Sequence, residues 1–160
     1  MTSQQPSRDD KINDSTLEDA RRVALNLLAR REHSRLEMQH KLSRRGYGST
    51  VIDAVLEWLM AEELLNEHRY AELYAHGRAD KGYGPVRIQR ELCERGVPLE
   101  IIATILGDLE GYWMPKLAAL QRKRFGSVAP VDAAGRAQQF RFLRHRGFTS
   151  EQINALFRGA

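Results

Sequence analysis

An all-α fold of three tandem three-helix repeats is predicted for this chain by a signature that occurs three times in its 160 residues. Each copy reads Leu, two variable residues, Arg, Gly and a bulky apolar residue, with the glycines at Gly46, Gly96 and Gly147. The spacing is 50 and then 51 residues, and an isoleucine follows each glycine six positions on. A unit this small buries little core alone, so neighbouring repeats are expected to share apolar surface.

The spacing of the signature divides the chain into a disordered N-terminal tail and three repeats. We expect the tail over 1–16 and the repeats over 17–64, 65–109 and 110–160. No segment of any length shows the alternating pattern of a strand. Because each repeat contacts mainly its neighbours in sequence, the pattern predicts an elongated, curved molecule.

Three helices are expected in the first repeat. Apolar residues at helical spacing indicate a helix over about 17–32. Ser34 and Glu37 form a capping box that opens the second helix, and Gly46 ends it because glycine adopts positive φ easily. Thr50 is expected to cap the third helix. The side chains expected to point inward include Leu17, Ala20, Ala24, Leu25, Leu27, Leu28, Ile52, Val55, Leu56, Leu59 and Met60.

The second repeat follows the same plan. Its first helix carries Tyr70, Leu73 and Tyr74. Gly84 and Pro85 then start the middle helix, since proline suits the first helical position. Gly96 ends that helix, and Pro98 is expected to start the next. Cys93 is expected to be a small buried residue rather than a nucleophile.

In the third repeat Pro115 is expected to open or kink a helix. The likeliest longer loop follows over 126–130. Gly147 marks the repeat turn, and Thr149 is expected to cap the last helix.

Composition indicates a soluble cytoplasmic protein. Charged residues make up 29% of the chain, and its apolar runs are far shorter than the ~20 residues that cross a bilayer. The N-terminal residues form no apolar signal core, so we do not expect export. The single cysteine excludes an internal disulfide and fits a reducing compartment. We expect a monomer.

Basic residues concentrate in the last third of the chain. Residues 110–160 carry nine basic and three acidic side chains, which favours an anionic partner, although solvated helix faces would also explain them. Arginine suits paired contacts with phosphate or carboxylate. The candidate contact residues, in order of preference, are Arg122, Lys123, Arg124, Arg141 and Arg144, then Arg87 and Arg90. For the repeated Arg45, Arg95 and Arg146 we favour a structural role, in which they bind carbonyls at the helix end.

Signals for catalysis are weak. The five histidines show no zinc-ligand spacing, and a Gly-x-x-x-x-Gly-Lys phosphate loop is missing. The stretch 81–85 contains two glycines but is best explained as a flexible helix connection. The sequence therefore predicts a non-enzyme without a metal or cofactor.

Three segments carry a family resemblance when taken together. They are Ala24–Glu37, Gly82–Leu92 and Phe142–Phe148. Over about residues 20–160 the chain resembles the RecX family of bacterial regulators of the RecA recombinase. One departure is Glu67, where the family usually has aspartate.

The resemblance implies a cytoplasmic regulator with three tandem three-helix repeats and no catalytic residues. Such proteins bind along the groove of the RecA–single-stranded DNA filament. They inhibit its ATP hydrolysis, strand exchange and co-protease activities, and so modulate recombinational repair and the SOS response. Weak phosphate contacts with single-stranded or duplex DNA are also expected.

The alternative is a direct helix-turn-helix-like DNA-binding protein. Against it, the third helix of a repeat, such as 51–64, is mostly apolar and acidic, unlike a base-reading helix.

Overall fold

The computed structural model describes residues 13–159, and every regular element within that range is an α-helix. This confirms the predicted fold class. In chain order the helices are α1 (Asp14–Leu28), α2 (Arg35–Arg44), α3 (Ser49–Ala61), α4 (Glu67–Asp80), α5 (Pro85–Glu94), α6 (Leu99–Asp108), α7 (Glu110–Phe125), α8 (Ala133–His145) and α9 (Ser150–Arg158).

The chain forms two compact units, the first ending at Glu67 and the second starting at His68. In the first unit α1 packs against α2 and α3, and α2 packs against α3. In the second unit α5 packs on α6, α6 on α7, and α7, α8 and α9 on one another. The second and third predicted repeats therefore share a single core.

The signature residues lie in these two cores. The leucines Leu42, Leu92 and Leu143 are fully buried, as expected for the last turn of a helix that packs inward. The isoleucines that follow the glycines are also buried, with exposed fractions of 4% or less. Burial of the same positions in each copy confirms the repeat pattern.

Backbone conformation explains the glycine of each signature. Gly46, Gly96 and Gly147 have φ of 89°, 77° and 100°, a region that costs other residues strain. Gly147 also meets α5 closely, because a Cβ placed on it would lie 2.4 Å from Cβ of Arg87. The amide of Val86 donates to the Gly147 carbonyl at 2.9 Å, so the start of α5 docks on the turn that follows α8.

Three predicted helix starts are confirmed. Ser34 Oγ accepts from the Glu37 amide at 3.1 Å, and Glu37 accepts from the Ser34 amide, which is a complete capping box. Thr149 caps α9 with Gln152 as its reciprocal partner. Pro85 is the first residue of α5.

Some helix ends differ from the prediction. Helix α1 begins at Asp14 because Asn13 Oδ1 accepts from the Ser15 amide at 3.0 Å, so the predicted tail is helical at 14–16. Residues 1–12 of that tail lie outside the described range. The helix ends at Leu28, earlier than expected.

Three residues at predicted starts take other positions. Thr50 does not cap α3, because Gly48 is the N-cap and Ser49 the first helical residue. Pro98 is the N-cap of α6 rather than its first residue. Pro115 lies inside α7 and does not open it.

Three side chains predicted to be buried are exposed, and so is Leu73 on α4. Leu25, Met60 and Leu73 are 40%, 44% and 59% exposed, so the inward stripes of their helices are narrower than predicted. Cys93 is also exposed. Its equivalents in the other repeats, Ser43 and Arg144, are exposed polar residues, so this position faces solvent in every copy.

A buried histidine just before α2 contacts both the preceding loop and a lysine within the helix. His33 is 1% exposed, with Nδ1 3.0 Å from the Arg31 carbonyl and Nε2 2.8 Å from Lys41 Nζ. Because a carbonyl only accepts, Nδ1 carries the proton and Nε2 accepts from the ammonium group. Burial lowers the pKa of His33. The hydrogen bond to the Arg31 carbonyl and the charge of Glu37 raise this pKa, and the charges of Arg31 and Lys41 lower it further, so that the net change is downward.

The stability of the first unit is therefore expected to fall in mild acid. A folded-state pKa below the ordinary value of 6.5 means that the contribution of His33 is complete above pH 6.5 and is lost as pH decreases through the folded pKa. The measurement is urea unfolding by ¹⁹F NMR of 5-fluorotryptophan protein, because Trp58 reports the first unit and Trp113 the second.

The variant His33→Gln should lose this pH dependence of stability. His40 is an exposed histidine on α2, so the control variant His40→Gln should keep the pH dependence. Equal pH dependence in the two variants would contradict the account.

Candidate anion-binding surface

The C-terminal turn of α7 presents three adjacent cations. Arg122, Lys123 and Arg124 are all exposed, and the negative end of the helix dipole stabilises positive charge there. Helix α7 ends at Phe125, and its C-cap is Gly126, whose amide donates to the Arg122 carbonyl at 2.9 Å and whose φ is 84°. The arrangement fixes the backbone of the triplet while its three side chains remain exposed.

Packing of α8 brings two further arginines to the same part of the second unit. Phe142 packs edge-to-face on Phe125 with 5.4 Å between ring centres, and the Arg124 guanidinium lies 5.6 Å from the Phe142 ring. Beside Phe142 on α8, Arg141 and Arg144 are exposed. The structure thus places five of the seven predicted contact residues on two packed helices.

The other two predicted residues, Arg87 and Arg90, lie on α5 and have partners there. Arg90 is exposed and lies 3.9 Å from Glu94. Arg87 is half-buried, donates to Glu91 at 3.1 Å and covers the Tyr83 ring at 4.5 Å. Its charge is used within the fold, so its availability to a partner is lower than the sequence suggests.

Glu91 is the centre of a buried polar network that sequence reasoning missed. It is 8% exposed and accepts from Tyr74 Oη at 2.8 Å and from Arg78 Nε and Nη2 at 2.8 and 2.6 Å, in addition to Arg87. Burial alone would raise the pKa of Glu91, but these hydrogen bonds lower it to about 2. Burial and the same carboxylate raise the pKa of Tyr74 to about 12.

Two of the three signature arginines have the structural role that the sequence predicts. Arg95 donates to the Glu91 carbonyl at 3.1 Å and lies over Tyr74. Arg146 donates to the carbonyls of Lys81 and Gly82 at 2.6 and 3.1 Å. Arg45 is instead exposed and lines a cavity of about 280 Å³ in the first unit.

A groove of about 510 Å³, here called the α4–α7 groove, lies beside the cationic triplet within the second unit. Its apolar lining comes from Ala79, Ala119, Leu120 and Phe142. Its charged lining comes from Asp80, Lys81, Lys116, Lys123, Arg124 and Arg146. Sequence reasoning missed the groove and treated residues 81–85 as a connection. The available signal was the helical spacing of Lys116, Leu120 and Lys123, which places them on one face of α7.

The exposed cations beside the groove can bind anions. Among residues 13–159, no group of three or more His, Cys, Asp or Glu side chains could hold a metal ion.

No helix in the described part of the chain has both the length and the apolar character needed to cross a membrane.

Comparison with known proteins identifies the family. Residues 20–59 match the family model described as the first three-helix domain of RecX, and residues 66–106 match that of the second. The chain belongs to the RecX family. The sequence resemblance is thereby confirmed.

RecX relatives in other bacteria match most of the chain. A protein named regulatory protein RecX from Halorhodospira halophila is 44% identical over 86% of this chain and 86% of its own length. One of the same name from Pseudomonas savastanoi is 45% identical over 87% of this chain and 90% of its own. These relatives are named as regulatory proteins.

Solved RecX structures share the fold. The crystal structure of RecX from Lactobacillus salivarius has a TM-score of 0.81 at 20% identity, covering 92% of this chain and 97% of that one. A second, titled crystal structure of regulatory protein RecX, has a TM-score of 0.73 at 16% identity, covering 94% and 79%.

Proposed function

We propose that this chain binds the RecA–single-stranded DNA filament and inhibits its ATP hydrolysis, strand exchange and co-protease activities. Through that inhibition it modulates recombinational DNA repair and the SOS response. The observation that carries the proposal is membership of the RecX family, with relatives named regulatory proteins at 44% and 45% identity. The chain acts as a cytoplasmic monomer and catalyses no reaction.

The proposed contact surface is the cationic face of α7 and α8. Its support is the exposure of Arg122, Arg141 and Arg144 on packed helices, together with the basic excess of residues 110–160. Exposed arginines suit the carboxylates of a protein filament and the phosphates of the DNA within it. Tandem repeats contact several points of a filament at once, which raises avidity without a single strong site.

Charge reversal on α8 tests this surface. The double variant Arg141→Glu, Arg144→Glu should raise the concentration needed for half-inhibition of RecA ATP hydrolysis by about tenfold, since two attractive charges become repulsive. The matched control is Arg35→Glu, Arg44→Glu, which reverses two exposed arginines on α2 in the first unit. Full inhibition by a folded α8 variant would remove this surface from the account.

The same variant addresses the direct DNA-binding alternative. Backbone contacts through Arg141 and Arg144 should be weak, independent of sequence and strongly reduced by salt. Tight binding to one duplex sequence, with RecA inhibition unchanged in the variant, would favour a transcription factor instead.

A further inference from the structure

The α4–α7 groove carries more positive charge than its own ion pairs use. Lys116 pairs with Asp80 at 2.6 Å, and Arg146 donates to two backbone carbonyls. The other three cations, Lys81, Lys123 and Arg124, are exposed and have no carboxylate within ion-pair distance in the described part of the chain. The groove therefore offers three positive charges to an anionic ligand.

The lining between these charges is apolar and mostly aliphatic. Ala79 is 1% exposed, Leu120 is half-buried, and Ala119 is exposed at the side of the groove. A volume of about 510 Å³ lies within the range of sites that bury ligands, ~300–1,000 Å³. An apolar surface between cations favours a ligand that combines a large apolar group with flanking negative charge.

The aromatic ring in the groove already has neighbours within the fold. Phe142 packs against Phe125, and the guanidinium groups of Arg124 and Arg146 lie 5.6 and 5.9 Å from its centre. Single-stranded nucleic acid binds by stacking its bases on open aromatic faces. Because this ring already has three neighbours and the rest of the apolar lining is aliphatic, the lining suits an apolar side chain of a peptide better than a base.

The groove is also preformed. A Cβ on Gly82, whose φ is 83°, would lie 3.1 Å from Nη2 of Arg146 and from Cδ1 of Leu120, so the wall at this point is tightly packed. The Arg146 guanidinium fixes the same wall by its bonds to the Lys81 and Gly82 carbonyls and packs 4.1 Å from the centre of the Tyr83 ring. This wall is therefore in place before a ligand binds, which reduces the entropy lost on binding.

We propose that the α4–α7 groove binds an acidic segment of a protein partner. One large apolar side chain of that segment occupies the lining formed by Ala119 and Leu120. Aspartate or glutamate residues on either side pair with Lys81, Lys123 and Arg124. This inference goes beyond the filament proposal and is independent of it, because binding is measured on the protein alone.

The test uses fluorescence anisotropy with three labelled probes and the full chain. The probes are a short peptide of Asp and Glu with one central Leu, the same peptide with Ser in place of Leu, and an oligothymidylate. Ala119→Trp fills the apolar lining without changing charge, and Ala103→Trp, at an exposed alanine on α6, is its matched control. Lys123→Glu with Arg124→Glu removes the positive charge.

The Leu peptide should bind at least about tenfold more tightly than the Ser peptide. Ala119→Trp should lower the affinity for the Leu peptide about tenfold, whereas Ala103→Trp should leave that affinity unchanged. The charge variant should abolish binding. Equal affinity for the two peptides, an oligothymidylate bound in preference to both, or no binding of the Leu peptide by folded protein would each overturn the proposal.

Discussion

Glu91→Gln is expected to lower the free energy of unfolding of the second unit by about 3 kcal/mol, because removing one partner of a buried ion pair leaves the others unpaired. Glu91 accepts from Tyr74, Arg78 and Arg87 while almost fully buried. Glutamine keeps the shape and one acceptor but loses the charge that holds two guanidinium groups. Urea unfolding followed by the ¹⁹F signal of Trp113 measures the loss.

Glu94→Gln is the matched control on the same helix. Glu94 is exposed and lies 3.9 Å from Arg90, so its loss should cost about 0.5 kcal/mol or less. Similar effects of the two substitutions would contradict a central role for the Glu91 network.

Acid gives a second test of the same carboxylate. Its pKa is lowered from 4.5 to about 2, so its contribution is complete above pH 4.5 and is lost as pH falls toward 2. The stability difference between the wild-type protein and Glu91→Gln should therefore be constant above that window and shrink within it.

Gly84→Ala is expected to destabilise the second unit by about 3 kcal/mol, near the upper range for overpacking. A Cβ on Gly84 would lie 2.5 Å from the carbonyl carbon and oxygen of Gly147 and 2.6 Å from the Phe148 amide nitrogen. These are backbone atoms held by the Gly84-to-Arg146 hydrogen bond at 2.9 Å, so they cannot move aside easily. The readout is again the Trp113 signal during urea unfolding.

Gly48→Ala is a close control for this collision. Gly48 is the N-cap of α3 as Gly84 is of α5, both in extended conformation, but a Cβ on Gly48 meets nothing within 4 Å. The two variants share the cost of alanine at an N-cap, about 1 kcal/mol or less, so their difference measures the collision. Equal losses, each read by the tryptophan of its own unit, would show that the close approach of α5 to the turn is unimportant.

Local chemistry made much of the fold predictable. The signature glycines, the capping box at Ser34, the cap at Thr149 and the proline at the start of α5 each depend on a few adjacent residues, and the structure confirms them. Aligning the repeats would also have corrected two errors. Cys93 aligns with a serine and an arginine, and Met60 aligns with Glu110, so both positions are compatible with solvent.

The candidate site depended on contacts that sequence could not supply. The charge of the α7 triplet was visible, but the groove beside it needs α4, α7 and α8 to pack together. Arg87 could be seen four residues before Glu91, yet only the fold adds Arg78 and Tyr74 to the same carboxylate. Long-range partners of this kind decide whether a charge is available to a ligand or serves the core.

RecA ATP hydrolysis on single-stranded DNA, titrated with this protein from well below equimolar upward, tests the central claim most directly. Regulation of the filament predicts inhibition at substoichiometric ratios, because one bound molecule affects a cooperative assembly. Normal hydrolysis at equimolar protein, with both tryptophan signals showing that the two units are folded, would contradict the proposed function.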